Sequence, residues 1–327
     1  MNFLLLLTLL LSFNLFANSK VGIIIKKQGD VELLTNPSKK FDNNKGTILY
    51  EGVYYQRKKA RRGLKLKNGD ILKTGSNSKA RIVYKNGDQI NVGEGTAFAI
   101  SWEKPKSKKD ESKSTISLIN GAIRGVVSKK GPRSKLTVKS RTAVMGVRGT
   151  DFHFSQKGTS GKTKISVLRG QVEVAKSTRP DDKVDVKQGF SAEVEGELLS
   201  KKTKNKAPLA TLAVDKTTQQ DLVEIQKDSK IIKEDKEDIS PVVKEELSKL
   251  EAKAIETTLD DIKEYQPDVY KNLAGKKITT VDTVNTVVVT KAIKKAPPQK
   301  SKKGFDEMGI NLEEDTYKKY FDIKDSL

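Results

Sequence analysis

Asp151 and His153 are the first residues to weigh for chemistry, because an Asp-x-His pair on a strand points two ligands or proton carriers to one side. His153 is the only histidine among 327 residues, and there is no cysteine. Two ligands from one strand do not make a metal site, and a lone histidine without an evident serine or carboxylate partner does not make a triad. Thiol catalysis and thiolate metal sites are excluded outright. Carboxylate chemistry is the remaining enzymatic option, yet Glu94, Glu103 and Asp110 show no spacing that would make them a facing pair. The sequence therefore reads as a chain with no catalytic centre, cofactor or metal, with Asp151 and His153 on an exposed strand face.

The second group that could do chemistry is basic. Tyr50, Tyr54 and Tyr55 precede the run Arg57-Lys58-Lys59-Ala60-Arg61-Arg62. Basic residues beside aromatics can hold single-stranded nucleic acid or a sugar–phosphate surface. Here the aromatics precede the charges instead of interleaving with them. Nucleic acid is therefore disfavoured, and a basic loop with tyrosines packed on a sheet is the competing reading. Arg57, Lys58, Lys59, Arg61 and Arg62, with Arg124, Lys129 and Lys130, form the candidate polyanion-binding set. Residues 20–200 carry 38 Lys+Arg against 18 Asp+Glu, whereas residues 201–327 carry 25 against 24. The net charge of +21 thus belongs to the first region. A cell-wall polymer, lipopolysaccharide or anionic lipid would be drawn to such a field; lysines that keep strand edges soluble would look the same.

The elements that must position these residues are strands. From Val21 to about Glu195, alternating runs repeatedly meet a glycine turn, as in LKLKNGDILKT, RIVYKNGDQINV and ISVLRGQVEV. Asn68-Gly69 and Asn86-Gly87 predict type I′ hairpins. Alternation sends Leu64, Leu66, Ile71, Ile82, Tyr84, Ile90 and Val92 to a core and Lys65, Lys67, Lys73, Arg81 and Lys85 to water. The uneven spacing of the units argues against a strict solenoid. The expectation is a mainly β fold: an elongated antiparallel β-meander or β-roll over 21–196, then a helical, partly disordered C-terminal tail. Polar loops are expected at Pro105–Ser114 and Lys157–Lys162, a linker over 197–214, helices over 215–294 and a flexible end over 295–327. Ser240-Pro241 predicts a helix start, with serine as N-cap and proline in the first turn. Pro267 ends that helix or begins the next, and Thr279–Ala292 fits a helix or a strand. So much charge with so little apolar content suggests an arm without a large core of its own.

Residues 1–17 read as a signal peptide, since the apolar run Phe3–Phe16 is shorter than the roughly 20 residues a span needs and ends near Ala17. An uncleaved anchor is the alternative. Export, to the periplasm or the outer surface of a bacterium, is the expectation, with no transmembrane span after cleavage.

The segment TAVMGVRGTDF, Thr142 to Phe152, joins two alternating runs. With the pieces quoted above, STISLINGAIRGVV and VKQGFSAEV, it resembles the FecR-type domain, an all-β module of bacterial envelopes. The resemblance covers about residues 21–196. It implies an extracytoplasmic β domain without catalysis and an envelope protein as partner. The regulator that names the family has a cytoplasmic arm controlling a sigma factor; no such arm precedes the apolar run here, so that role is not expected to carry over. The signature residues are Thr142, Ala143, Gly146, Val147, Arg148, Gly149, Thr150 and Phe152. Phe152 and Phe154 should face inward. Gly146 and Gly149 should permit a corner, and Arg148 either braces that corner or meets an anionic partner.

Overall fold

The computed structural model describes residues 20–42, 46–103, 113–129, 135–156, 161–195 and 212–298. The expected signal peptide, Lys130, most of the two polar loops, residues 197–211 of the linker and the end from 299 lie outside the described residues.

The chain runs through β1 (Lys20–Gln28), β2 (Val31–Ser38), β3 (Thr47–Tyr50), β4 (Val53–Lys59), β5 (Lys65–Lys67), β6 (Ile71–Thr74), β7 (Lys79–Val83), β8 (Gln89–Val92) and β9 (Ala97–Glu103). It continues with β10 (Lys113–Val126), β11 (Lys135–Lys139), β12 (Ala143–Val147), β13 (Asp151–Gln156), β14 (Thr163–Arg169), β15 (Gln171–Lys176), β16 (Arg179–Lys187), β17 (Phe190–Val194) and β18 (Leu212–Lys216). Four helices close it: α1 (Gln219–Ser229), α2 (Pro241–Tyr265), α3 (Pro267–Leu273) and α4 (Val281–Lys295).

The strands form two faces joined by β10. One sheet runs β5–β1–β7–β8–β10–β13–β14–β17–β18. The other runs β3–β4–β2–β6–β9–β10–β11–β12–β15–β16. The first half of β10 pairs in the second sheet as far as Asn120, and from Gly121 the strand pairs in the first. The β10–β11 pair is parallel and the others are antiparallel. The fold is thus mainly β, as the alternation requires. Asn68 and Asn86 lie outside the left-handed region, unlike their glycines, so neither turn is the expected type I′. The Gly87 amide instead donates to the Tyr84 carbonyl, closing a turn one residue earlier.

Between the sheets lies one core, containing Ile82, Ile90, Phe98, Ile123, Met145, Phe152 and Phe154. The inward phenylalanines match the alternation. The outer face of the first sheet does not meet water. It is covered by the helices: Ile23, Ile25 and Val83 pack under Leu247, Leu250, Ala254 and Val281. Leu168 packs with Leu222, Ile225, Ile262, Val269, Val284, Val288 and Ile293. The helices thus pack their apolar stripes on one another in a cluster that rests on Leu168, and on the sheet through Ile23, Ile25 and Val83.

Local sequence explains where the helices start. Thr218 caps α1, and Asp221 reaches back to complete a capping box. Ser240 caps α2 with Pro241 in its first turn, and Pro267 opens α3. The ambiguous Thr/Val segment is helical, because Val281, Val284, Val288 and Val289 fall on the side buried against the sheet. One strand was not foreseen: β18 extends the first sheet from within the expected linker.

The helical cover corrects several expectations for single residues. Arg81, expected in water, is 0% exposed and pairs with Asp282 of α4 at 2.5 Å. Arg124, a polyanion candidate, is 1% exposed and makes two bonds to Asp151, at 2.9 and 2.8 Å, so it has no room for an outside ligand. His153, expected on an exposed face, is 3% exposed and bonds Asp228 of α1 at 3.0 Å. Alternation placed Arg81 and His153 on the correct face, but alternation does not say what covers a face.

Candidate functional site

The signature segment is the corner between the two sheets. β12 ends in one sheet at Val147 and β13 starts in the other at Asp151, so Arg148-Gly149-Thr150 makes the crossing. Thr150 is fully buried, and its hydroxyl lies 3.1 Å from the Gln171 carbonyl and 3.3 Å from the Arg148 carbonyl. Its own carbonyl accepts from the Val127 amide at 3.0 Å. Gly149 has φ +66°, and a Cβ there would stand 2.5 Å from the Lys129 Cα. Opposite it, a Cβ on Gly170 would stand 2.9 Å from the Gly149 carbonyl oxygen. Two glycine backbones in contact, with no side chain between them, leave an opening above them.

That opening is a cleft of about 440 Å³. Its charged lining is Lys129, Arg148 and Lys187, all exposed. Gln171, Gln188 and Tyr265 complete the walls with the two glycines, and no carboxylate lines it among the described residues. The Lys129 ammonium sits 4.8 Å from the centroid of the Tyr265 ring, which fixes a long side chain against the end of α2. Arg148 therefore does not brace the corner. Thr150 and the glycine contact hold it, and Arg148 projects from it as one of three cations converging on open space. Such a convergence suits a carboxylate or phosphate group.

Most of the other signature residues are buried or bonded within the fold. Ala143 and Val147 are buried in the core. The Thr142 hydroxyl donates to the Gly161 carbonyl at 2.8 Å. The ring of Phe152 lies where a Cβ on Gly125 would be, 2.4 Å away. Gly146 is different: the nearest atom to a Cβ there is the Glu173 carboxylate, 4.0 Å away, and its φ is not positive.

The expected polyanion set does not form one patch. Arg57, Lys58, Lys59 and Arg61 are exposed on and just after β4. Arg57 lies 3.8 Å from Glu32. Arg62 is drawn inward: its Nε donates to the Ile25 carbonyl and contacts Glu234, and its amide donates to Glu237. Arg124 is buried, whereas Lys129 belongs to the Arg148 cleft. Sequence reasoning missed Lys187, Gln188 and Tyr265. The glycine turn after Lys187 was legible, but its approach to Arg148 is tertiary and leaves no periodic mark.

Arg169, next in the chain to the Gly170 of the cleft, forms a buried pair with Asp261 at 3.0 Å. Burial still pushes the Asp261 carboxyl above its usual range, against the pull of Arg169. Asp282 behaves in the opposite way: burial works to raise it, but Arg81 and Lys26 together hold it below the usual carboxylate range. The Asp151 and His153 side chains, each with its own partner, do not act as a ligand pair.

Residues 70–173 match the family model described as FecR protein. The whole signature corner lies inside that span. The likeness to the FecR family covers that span, about a third of the chain. The matched span leaves out β1–β5 and everything from β16 onward, including the helical cover. A search of curated proteins finds no match. Two crystal structures, at 1.65 and 2.50 Å, of a "putative anti-sigma factor" from Parabacteroides distasonis ATCC 8503 are similar. Each is 14% identical, with a TM-score of 0.36, over 48% of this chain and 64% of the other, so the chain spans less than two thirds of that protein.

Proposed function

We propose that this is an exported, non-enzymatic envelope protein whose FecR domain is an interaction and sensing module. The Arg148 cleft is the place where it meets an anionic group of an envelope protein partner. The observation that carries this reading is the convergence of Arg148, Lys129 and Lys187 on a rigid corner of the domain with no carboxylate among them. The rigidity matters because side chains on a locked backbone lose little further entropy on binding. Export rests on the apolar N-terminal run alone.

The test is crosslinking in isolated envelopes, comparing the native chain with an Arg148→Glu/Lys187→Glu variant. A discrete adduct formed by the native chain should be lost in the variant while thermal stability is unchanged, since both side chains are exposed. An adduct equally strong with the variant removes the cleft from partner binding.

Polyanion binding is supported separately by Arg57, Lys58, Lys59 and Arg61, which stay exposed. Its contact would be electrostatic, so retention on isolated envelope should fall steeply between low and high salt and fall further when these four are reversed. Salt-independent retention rules this reading out.

A further inference from the structure

A second cleft, of about 430 Å³, opens between the edge of the first sheet and helices α1, α3 and α4. Its floor is apolar, made by Val167, Leu168, Leu222, Val269, Val288 and Ala292, and Phe190, 37% exposed, stands at its rim. Polar groups stand around that floor: Gln188, Lys216, Thr217, Gln266, Asp268, Lys291 and Lys295. Thr217 is occupied by Ser191. Gln266, 6% exposed, donates its amide to the Leu168 carbonyl, and its side-chain oxygen has no partner. At the far end Lys295 pairs with Asp268, and Lys291 donates to the Asp268 carbonyl.

This slot and the Arg148 cleft are neighbours. Gln188 lines both, and Tyr265 and Gln266, adjacent in the chain, line one each. The two clefts adjoin, one with an apolar floor and the other lined by three cations. We propose that together they bind a single-chain lipid phosphate, with its alkyl or isoprenoid chain in the slot and its phosphate among Arg148, Lys129 and Lys187. An extended peptide would bring a backbone amide and carbonyl every residue, and the six apolar side chains of the floor offer them no hydrogen bond. A hydrocarbon chain asks for no hydrogen bonds, and about 430 Å³ is within the range of small-ligand pockets. At the head, three cations without a carboxylate favour a dianion over a neutral glycan. The proposal rests on the anion-binding reading of the Arg148 cleft; the slot is an independent observation.

Calorimetric titration of the full chain with dodecyl phosphate, below its micellar concentration, tests it. Inorganic phosphate is the head-only probe, decyl glucoside the chain-only probe, and a synthetic EEDTYKKYFDIKD peptide the acidic-aromatic competitor. Dodecyl phosphate should bind one to one, at least tenfold tighter than each of the other three. Ala292→Trp, which fills the slot, and Arg148→Ser/Lys187→Ser, which empties the head site, should each weaken it at least tenfold with unchanged circular dichroism. Should Ala292→Trp misfold, Phe190→Ala with Lys129→Ser provides the same two arms from exposed positions. Phosphate binding as tightly as dodecyl phosphate overturns the proposal, as does peptide binding in its place, or loss confined to only one arm. The envelope crosslinking described above involves no added lipid, so its failure and the failure of the lipid site are read separately.

Discussion

At the residue scale, the signature holds two glycines with different jobs. Gly149 sits at φ +66° with the Lys129 backbone in the way of any Cβ. Gly149→Ala should therefore cost roughly 2–3 kcal/mol, combining left-handed strain with a displaced Lys129 backbone. Gly146 faces open space with ordinary backbone angles, so Gly146→Ala should stay within about 0.5 kcal/mol. Chemical denaturation of the two variants compares them directly; equal losses would show that the corner does not depend on Gly149. The sequence placed both glycines at a bend, which was half right. A motif shows that a glycine is present and cannot show which side of it another chain approaches. The same limit applied to Arg148. Its flanking glycine suggested a tight corner with the arginine tucked in, whereas the tightness belongs to Gly149 and Thr150 and the arginine stands outside.

At the element scale, α4 is held to the sheet by charge as well as by valines. Asp282 receives Arg81 at 2.5 Å and Lys26 at 3.0 Å across the junction. Removing its charge leaves the buried Arg81 without a counterion, while Lys26 keeps Glu251 at 3.3 Å, so Asp282→Asn should destabilise by about 2–3 kcal/mol. The pH dependence has a definite sign. Burial opposes ionisation of Asp282, but Arg81 and Lys26 prevail and its folded pKa lies below the ordinary 3.8. A depressed carboxylate contributes stability that is present above its unfolded pKa and lost as pH falls through the folded one. Asp261 has the opposite sign, because burial raises it. Its contribution is greatest in acid and fades as pH rises through its folded pKa. Urea unfolding followed from neutral pH to below 3.8 should show the native chain losing stability in acid more steeply than Asp282→Asn. Parallel curves would place the acid sensitivity elsewhere. The strands and the caps at Thr218 and Ser240 were legible because period and capping are local. The attachment of α4 was not: Thr279–Ala292 has threonines and valines that suit either element, and only the partner surface of Ile23, Val83 and Leu168 selects the helix.

At the scale of the whole molecule, the charge asymmetry takes on another meaning. The basic β region and the nearly neutral helical region looked like a body and an arm. In the folded chain the carboxylates of the arm, Asp228, Asp235, Asp261 and Asp282, meet His153, Lys27, Arg169 and Arg81 of the sheet. Lys79 donates to the carbonyls of Lys227 and Lys230, closing the end of α1, where a cation is favoured. On the sequence alone, a chain ending near Lys204 should fold and lose only its partner. The structure reverses that expectation. Such a chain lacks β18 and all four helices, so it exposes Ile23, Ile25, Val83 and Leu168 and strands the cations beside them. Each large apolar side chain returned to water forfeits about 1.5–3 kcal/mol, and the uncovered edge of β17 becomes open to pairing with another chain. The shortened protein should bind a hydrophobic dye, unfold without a cooperative transition and aggregate as its concentration rises. A sharp thermal transition near that of the full chain, with no dye binding, would restore the picture of an independent body and arm.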